Sequence, residues 1–277
     1  MDEHPPASVR IANLEFGLEV LHLTHKGEDA HVVTDDYLAV VDGASASGQA
    51  HFSPSELAAF AAHRVGTVPA RKLREAVTAM LTEFREMNDS PMSSHAAAVW
   101  ARLRDDRIEI GSLADCVGVV SMRDGQVRTT NPSRRLASLD GQLARTIAHG
   151  VRSGRPLVEV RAELNERIRA NRARWANQPD GYWVVGAEPD AARHLSLLKV
   201  VVTEIDSLLL CSDGFTRLIS PFRAVPDPAS LLRWAEQVGL ARLGVVLREL
   251  EAAPDSVVAA PRTSIHDDVT ALLLRRI

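Results

Sequence analysis

The stretch 207–219, SLLLCSDGFTRLI, joins an apolar run to an aspartate and a glycine. Hydrophobic residues that end in Cys211 predict a buried strand, and Asp213-Gly214 follows its end directly. Taken alone, an Asp-Gly pair after a strand is most often only a turn. An aspartate at the tip of a strand is also held rigidly enough to bind a cation. Further ligands elsewhere in the chain would favour the cation site, and their absence would favour a simple turn.

Three more acidic motifs lie at or beside the ends of predicted strands: Glu28-Asp29 in HKGEDA, Asp42-Gly43 in AVVDGAS and Asp267-Asp268 in IHDDVT. The Asp42-Gly43 pair repeats the pattern of Asp213-Gly214, and a glycine lets its own carbonyl approach the ion that the carboxylate binds. If these strand ends converge, their carboxylates need a compensating cation. Ligation by oxygen alone favours Mg²⁺ or Mn²⁺ and disfavours zinc.

The order of the predicted elements favours an α+β fold with antiparallel sheets. Hydrophobic periodicity predicts strands in 14–41, helices in 53–68 and 69–89, at least three strands in 95–130, a long helical segment over 136–176, strands in 195–214, helices in 227–253 and a last strand in 266–277. The strands of 195–214 are expected to form a hairpin that turns near 204–206. Consecutive hairpins with paired helices between them favour antiparallel sheets covered by helices over a doubly wound parallel sheet.

Bulk composition limits the classes of function. With 277 residues, 45% hydrophobic and 25% charged, the chain has the composition of a globular protein, and we expect one domain over 1–277 with a flexible N-terminus at 1–11. A net charge of -4 excludes a general attraction to nucleic acid or membrane lipid. Without a signal peptide or an apolar run of membrane-spanning length, and with Cys116 and Cys211 in apolar runs, we expect a cytoplasmic protein with two buried thiols.

Taken in order, the motifs GEDA, VVDGAS, IGSLADCVGVV, LLLCSDGF and HDDVTALLL resemble the PPM family of metal-dependent serine/threonine phosphatases, the type 2C group, and especially its compact bacterial members. The resemblance covers residues 12–277. It implies a four-layer α-β-β-α sandwich with the metal site at one edge between two central antiparallel sheets. It also implies two or three Mg²⁺ or Mn²⁺ ions, and hydrolysis of phosphoserine and phosphothreonine in proteins by attack of a metal-bridging hydroxide.

The resemblance also assigns roles to residues. The metal ligands it implies are Asp29 acting through bound waters, Asp42, Gly43, Asp115, Asp213 and Asp267, with Glu28 and Asp268 as supporting residues. Asp42 is expected to bridge two ions, with the Gly43 carbonyl on one of them. Asp213 and Asp267 are expected to ligate the ion nearer the nucleophile, and Asp115 to help hold a third ion. Asp42 and Asp213 are therefore the residues on which catalysis is expected to depend.

The sequence departs from the family pattern around the substrate. Thr24 stands where family members carry an arginine that grips the phosphate, and His25 or Lys26 either supplies a cation nearby or belongs to a surface loop. His51 is a candidate general acid. Val117 replaces an arginine of the family's third motif. These departures leave the ligand residues in place and affect the class of substrate.

Two alternatives to a protein phosphatase therefore stay open. One is a small-molecule phosphomonoesterase on the same scaffold, which the missing arginine favours. The other is a catalytically weak relative that binds phosphoproteins, because a fold does not guarantee an activity.

The segment 136–183 corresponds to a flap that varies within the family and shapes access to the substrate. It contains five arginines, Arg161, Arg167, Arg169, Arg172 and Arg174, with glutamates between them. This mixture favours a solvated helix face with salt bridges over a docking site for phosphate or nucleic acid.

Overall fold

The structure is a computed structural model that describes residues 7–11, 14–44, 52–88 and 94–277. Its strands are β1 (Ala7–Ile11), β2 (Leu14–Leu23), β3 (Asp29–Val33), β4 (Tyr37–Ala44), β5 (His95–Arg104), β6 (Arg107–Leu113), β7 (Val117–Met122), β8 (Val127–Thr129), β9 (Ser196–Val201), β10 (Ile205–Cys211) and β11 (Val269–Arg276). Its α-helices are α1 (Pro54–Thr67), α2 (Leu73–Met87), α3 (Arg134–Arg152), α4 (Leu157–Trp175), α5 (Asp213–Thr216), α6 (Pro228–Val238), α7 (Leu240–Ala252) and α8 (Ser256–Ala259). Short 3₁₀ helices cover Pro189–His194 and Val202–Glu204.

The strands form two sheets in which every pairing is antiparallel. One sheet has six strands in the order β1-β2-β11-β10-β7-β8, and the other has five in the order β3-β4-β5-β6-β9. Turns at Asp105-Asp106 and Asp124-Gly125 join β5 to β6 and β7 to β8. Asp105 and Gly125 both have positive φ, which these residue types tolerate in tight turns.

The two sheets pack face to face, and helices cover their outer faces. Val40 and Val99 of the five-stranded sheet share a buried cluster with Leu208 and Leu272 of the six-stranded sheet. Helices α1 and α2 cover the five-stranded sheet in a second cluster centred on Trp100, and α6 and α7 cover the six-stranded sheet in a third. The predicted α+β fold with four α-β-β-α layers is confirmed.

The predicted hairpin at 195–214 is wrong. Strand β9 pairs with β6 in the five-stranded sheet, whereas β10 pairs with β7 and β11 in the six-stranded sheet. The turn between them is bonded to both sheets, because the Val202 N–H donates to the Asp106 carbonyl and the Arg123 N–H donates to the Glu204 carbonyl. Sequence periodicity shows two strands here but not the sheet to which each belongs.

The long helical segment predicted over 136–176 is two helices. It breaks at 153–156, where Gly154 has φ +84° and Pro156 precedes the first residue of α4. A left-handed glycine ends α3, and a proline cannot donate the backbone hydrogen bond that would continue it. The two helices lie side by side and, together with α8, bury a small apolar cluster formed by Ile147, Val160 and Val257.

Residues 7–11, expected to be part of a flexible N-terminus, form strand β1 instead. Val9 and Ile11 point into the cluster between the sheets, which explains why this segment pairs with β2. Cys116 and Cys211 are free and buried, as predicted. Among the residues described, no helix combines the length and apolar character needed to cross a membrane.

Replacing Ile11 with alanine tests the strand at the N-terminus. Because Ile11 is only 4% exposed, Ile11→Ala is expected to lower the free energy of unfolding by about 2 to 4 kcal/mol. Ser8→Ala changes an exposed residue of the same strand and is the control, with an expected change within about 0.5 kcal/mol. Urea denaturation followed by circular dichroism measures both, and equal stabilities for the two variants would show that β1 does not contribute to the core.

Candidate metal centre

The four acidic motifs meet where the edges of the two sheets come together. Asp29 is the first residue of β3 and lies opposite Asp42 in the β3–β4 register. Asp213 begins α5 directly after β10, and Asp267 lies just before β11, which pairs with β10. One pair of carboxylates therefore comes from each sheet. The cavity at this edge has a volume of about 410 Å³ and is lined by Asp42, Asp115, Asp213 and Asp267.

Asp42 and Asp213 form the closest part of this cluster. Their side chains lie within hydrogen-bonding reach of each other. Burial raises the pKa of Asp42 well above its usual range, and the nearby charges of Asp213 and Asp29 raise it further. Two carboxyl groups in such contact can both be ionised only if a cation compensates them.

Asp29 has one oxygen that is satisfied and one that is not. Its Oδ2 accepts a hydrogen bond of 2.7 Å from the Thr270 hydroxyl, whereas its Oδ1 is buried and accepts none. Burial and the charges of Asp213 and Asp268 raise the pKa of Asp29 to about 7. A buried carboxylate oxygen without a partner is the kind of group that a bound cation or its water would satisfy.

Asp115 lies in the turn between β6 and β7, where Ala114 has φ 63°. Burial raises the pKa of Asp115 well above its usual range, and the charges of Asp213 and Asp140 raise it further. Asp140, on α3, lines the same cavity, and enclosure by the protein together with the charge of Asp213 raises its pKa to about 6. No sequence signal marks Asp140, because it lies inside a long helix with no motif around it.

Asp268 organises the loop that leads to Asp29. Its Oδ1 accepts the backbone N–H groups of His25, Lys26 and Gly27, and its Oδ2 accepts that of Glu28 at 2.7 Å. Burial opposes ionisation of this carboxyl group, but the four hydrogen bonds outweigh it and lower the pKa of Asp268. Aspartate holds the loop by both of its side-chain oxygens. An asparagine at this position would have only one acceptor oxygen and could not make all four hydrogen bonds in this way.

Asp267 lies between two cations. Lys26 Nζ is 2.6 Å from its Oδ1, and Arg217 Nη2 is 2.6 Å from its Oδ2. Lys26 therefore reaches into the cavity instead of extending from a surface loop. Arg217 also pairs with the buried Glu251 at 2.8 Å, and His266 Nδ1 lies 2.9 Å from the other oxygen of Glu251. Sequence reasoning missed Arg217, in the turn after α5, and Glu251, on α7, because charged residues far apart in the sequence carry no local signal of such a network.

Two glycines allow the backbone to approach these carboxylates. A Cβ on Gly43 would lie 2.5 Å from the Pro54 carbonyl oxygen, and one on Gly214 would lie 2.0 Å from the Asp268 carbonyl oxygen. The structure thus gives a steric reason for glycine at both positions. Ligation of an ion by the Gly43 carbonyl stays a prediction.

The donor set fits a hard divalent cation, although it is not yet arranged around one point. Among the residues described, no three carboxylate, imidazole or thiol groups already stand as a set of ligands. Cation binding would therefore require side-chain rotation, above all of Asp267 away from Lys26. His51, the candidate general acid, lies outside the described residues.

The chain resembles known proteins in its fold and not detectably in its sequence. The sequence matches no family model and no curated protein. Among solved structures, the chain is similar to the serine/threonine phosphatase Stp1 from Staphylococcus aureus, with 15% identity, a TM-score of 0.54 and coverage of 100% of this chain and 99% of that one. It is also similar to the Mycobacterium tuberculosis serine/threonine phosphatase PstP/Ppp, with 16% identity, a TM-score of 0.52 and coverage of 94% and 98%.

A third similar structure is RsbX in complex with magnesium, with 12% identity, a TM-score of 0.50 and coverage of 95% of this chain and 96% of that one. At these identities the likenesses show the fold. The fold that the sequence resemblance implied is therefore confirmed over nearly the whole chain.

Substituting Gly214 tests the close packing beside Asp213. Gly214→Ala is expected to lower the free energy of unfolding by about 1 to 3 kcal/mol or more, because its Cβ would clash with the backbone before β11. Gly141→Ala is the matched control, since a Cβ there meets nothing closer than 3.5 Å and alanine favours the helix by about 0.5 to 1 kcal/mol. Chemical denaturation measures both variants. Equal stabilities would contradict the packing described here.

The raised pKa of Asp29 predicts that cation binding releases protons. A carboxyl group with a pKa of about 7 is largely protonated at pH 6 and must ionise to bind Mn²⁺, so affinity is expected to rise from pH 6 to pH 8. Calorimetric titration in two buffers of different ionisation enthalpy gives the number of protons released. Asp29→Asn is expected to release fewer protons than the wild type. Affinity that is independent of pH, with no proton release, would contradict a protonated cluster.

Proposed function

We propose that the protein is a divalent-metal-dependent phosphatase that hydrolyses phosphoserine and phosphothreonine in proteins. The observation that supports this most strongly is the meeting of Asp42 and Asp213, one from each sheet, beside the buried and unsatisfied Oδ1 of Asp29. The cluster occupies a fold that the chain shares with serine/threonine phosphatases. Neither observation alone would suggest an activity, since the fold hosts no function without a site.

In this proposal the cluster holds two or three Mg²⁺ or Mn²⁺ ions. Asp42, Asp213 and Asp267 would be direct ligands together with the Gly43 carbonyl, and Asp115 would serve a further ion. Bound ions of this kind supply an activated water and neutralise charge on the phosphoryl oxygens.

The residues of the chain would prepare the site in three ways. Asp268 fixes the loop that carries Glu28 and Asp29 through four backbone hydrogen bonds. Arg217 binds Oδ2 of Asp267, the oxygen opposite the one that Lys26 binds, and would keep Asp267 at the site when Lys26 is displaced. Lys26, once displaced from Asp267, would supply a cation for a phosphoryl oxygen in the region where Thr24 replaces the arginine of the family pattern.

Thiol-based phosphate hydrolysis does not suit this protein. Burial raises the pKa of Cys211 to about 12 and the pKa of Cys116 well above its usual range. Neither thiol would ionise near neutral pH, so neither would be a nucleophile. Two buried thiols that stay reduced also support the cytoplasmic location that is part of this proposal.

A small-molecule phosphomonoesterase is the second candidate. The cavity of about 410 Å³ is partly roofed by α3 and α4, which contribute Leu139, Leu143 and Ile168 to its lining. Its volume falls within the range of pockets that bind small ligands. An extended phosphopeptide would fit only if the mouth of the cavity opened, or if only its phosphorylated side chain entered the cavity.

Turnover of p-nitrophenyl phosphate tests the proposed activity. The wild type is expected to hydrolyse it with Mn²⁺ and to lose this activity in EDTA. Asp42→Asn and Asp213→Asn are expected to lower kcat/KM by at least about 100-fold, because substitution of groups that only support metal ligands already costs ~10 to 100-fold. Asp206→Asn is the matched control, since Asp206 is an exposed residue at the far end of the same strand, β10.

Turnover of other substrates separates the protein phosphatase from the small-molecule phosphomonoesterase. Faster turnover of phosphoserine and phosphothreonine peptides than of phosphorylated metabolites would support a protein phosphatase, and the reverse order would support the second candidate. Binding of phosphopeptides without turnover in Mn²⁺ or Mg²⁺ would contradict both and favour a binding protein.

A further inference from the structure

Helix α4 has an inward face that is polar. Of its nineteen residues only Val160 is buried. Positions 161, 165, 168 and 172 follow one another at intervals of three and four, so they share one side of the helix, and all four line the cavity together with Arg169. A helix that packs on a core normally places an apolar stripe there. The α4 residues that line the cavity are three arginines and two asparagines, Asn165 and Asn171, with Ile168 as the apolar member.

The solvated helix face that the sequence favoured holds for Arg167, Arg169 and Arg174, which are exposed, whereas Arg161 and Arg172 are half-buried. The acidic residues of the helix, Glu159, Glu163 and Glu166, are exposed, and Glu163 pairs with Arg155 instead of with an inward arginine. Arg161 is half-buried and donates from Nη1 to the Thr263 carbonyl at 3.0 Å. Arg161, Arg169 and Arg172 thus line the cavity, whereas Arg167, Arg174 and the three glutamates are exposed to solvent.

The cavity consequently has two walls of opposite charge. The strand ends and α3 contribute carboxyl groups, and α4 contributes guanidinium groups. The charge of Arg172 on α4 acts on Asp140 on α3. It lowers the pKa of Asp140, although burial, the stronger effect, leaves that pKa raised. It also adds to the effect of burial in lowering the pKa of His95, at the start of β5, to about 4.

The basic wall bears on the chemistry of the ligand. A phosphoryl group held by cations at the acidic wall would leave the rest of the ligand facing Arg169 and Arg172. A neutral acceptor there gains only the weaker, single hydrogen bonds that a guanidinium group donates to an uncharged oxygen, whereas a carboxylate or a second phosphate gains stronger, charge-assisted and bidentate hydrogen bonds. We propose that the substrate is a phosphomonoester that carries a second anionic group, and that Arg169 and Arg172 bind this group. The inference rests on the proposed phosphatase function, which it makes more specific.

Two matched pairs of substrates test the proposal. The first pair is a phosphoserine peptide with glutamates next to the phosphoserine and the same peptide with glutamines. The second pair is 3-phosphoglycerate and glycerol 3-phosphate, which differ by one carboxylate. In at least one pair, the wild type with Mn²⁺ is expected to show a kcat/KM about 10 to 100-fold higher for the more anionic member, the range expected for a hydrogen bond to a charged group. The pair that shows the preference identifies the source of the second anionic group.

The arginine variants decide whether α4 causes the preference. The double variant Arg169→Gln with Arg172→Gln is expected to bring the ratio within each pair close to one, and Arg172→Lys is expected to keep part of it. Arg167→Gln is the matched control, because Arg167 is an exposed arginine of the same helix that does not line the cavity. Its ratio is expected to equal that of the wild type. A wild-type ratio near one in both pairs, or a ratio unchanged in the double variant, would overturn the proposal.

A binding measurement separates failure of this inference from failure of the proposed function. Wild-type turnover of p-nitrophenyl phosphate reports on the function alone. If no substrate is hydrolysed, fluorescence anisotropy of the two labelled peptides still reports on α4. Tighter binding of the glutamate peptide that is lost in the double variant would support the inference, and equal binding of both peptides would overturn it. Circular dichroism confirms that each variant is folded.

Discussion

Mutual repulsion among carboxylates is the constraint on which the rest of this structure depends. Two sheets end at a common edge, and each delivers aspartates into the same small volume. Asp42 and Asp213 touch, and Asp29 has a buried oxygen with no hydrogen-bond donor. Like charges at such distances destabilise a fold unless protons or cations compensate them. The raised pKa values of Asp29, Asp42 and Asp115 show the compensation by protons.

The surrounding structure holds the cluster against this repulsion. Buried apolar layers lie on both sides of each sheet, so the strand ends cannot move apart without exposing them. Four backbone N–H groups converge on Asp268, and Arg217 links Asp267 to the buried Glu251. Gly43 and Gly214 let the backbone come closer than any other residue would allow. Close support of this kind is expected where side chains of a binding site are held in place by their neighbours.

Much of this arrangement could be predicted from the sequence, because its signals are local. Apolar runs that end in Asp-Gly placed Asp42 and Asp213 at strand ends, whereas the four-layer fold and the common edge were implied by the resemblance of the motifs to a known family. Long-range contacts left no such signal. The assignment of β9 and β10 to different sheets depends on the turn at Val202–Glu204. Which of the α4 arginines line the cavity depends on how that helix packs beside it. Asp140 was missed for the same reason.

The central claim is that divalent cations bind between Asp42 and Asp213. Anomalous diffraction from crystals grown with Mn²⁺ tests it most directly, because the signal identifies the ion and its ligands independently of any enzymatic assay. The account predicts at least one anomalous peak about 2.0 to 2.4 Å from carboxylate oxygens of both Asp42 and Asp213, a usual range for such bonds. Mn²⁺ found only at other positions, or no peak at a concentration that saturates the protein in solution, would contradict it.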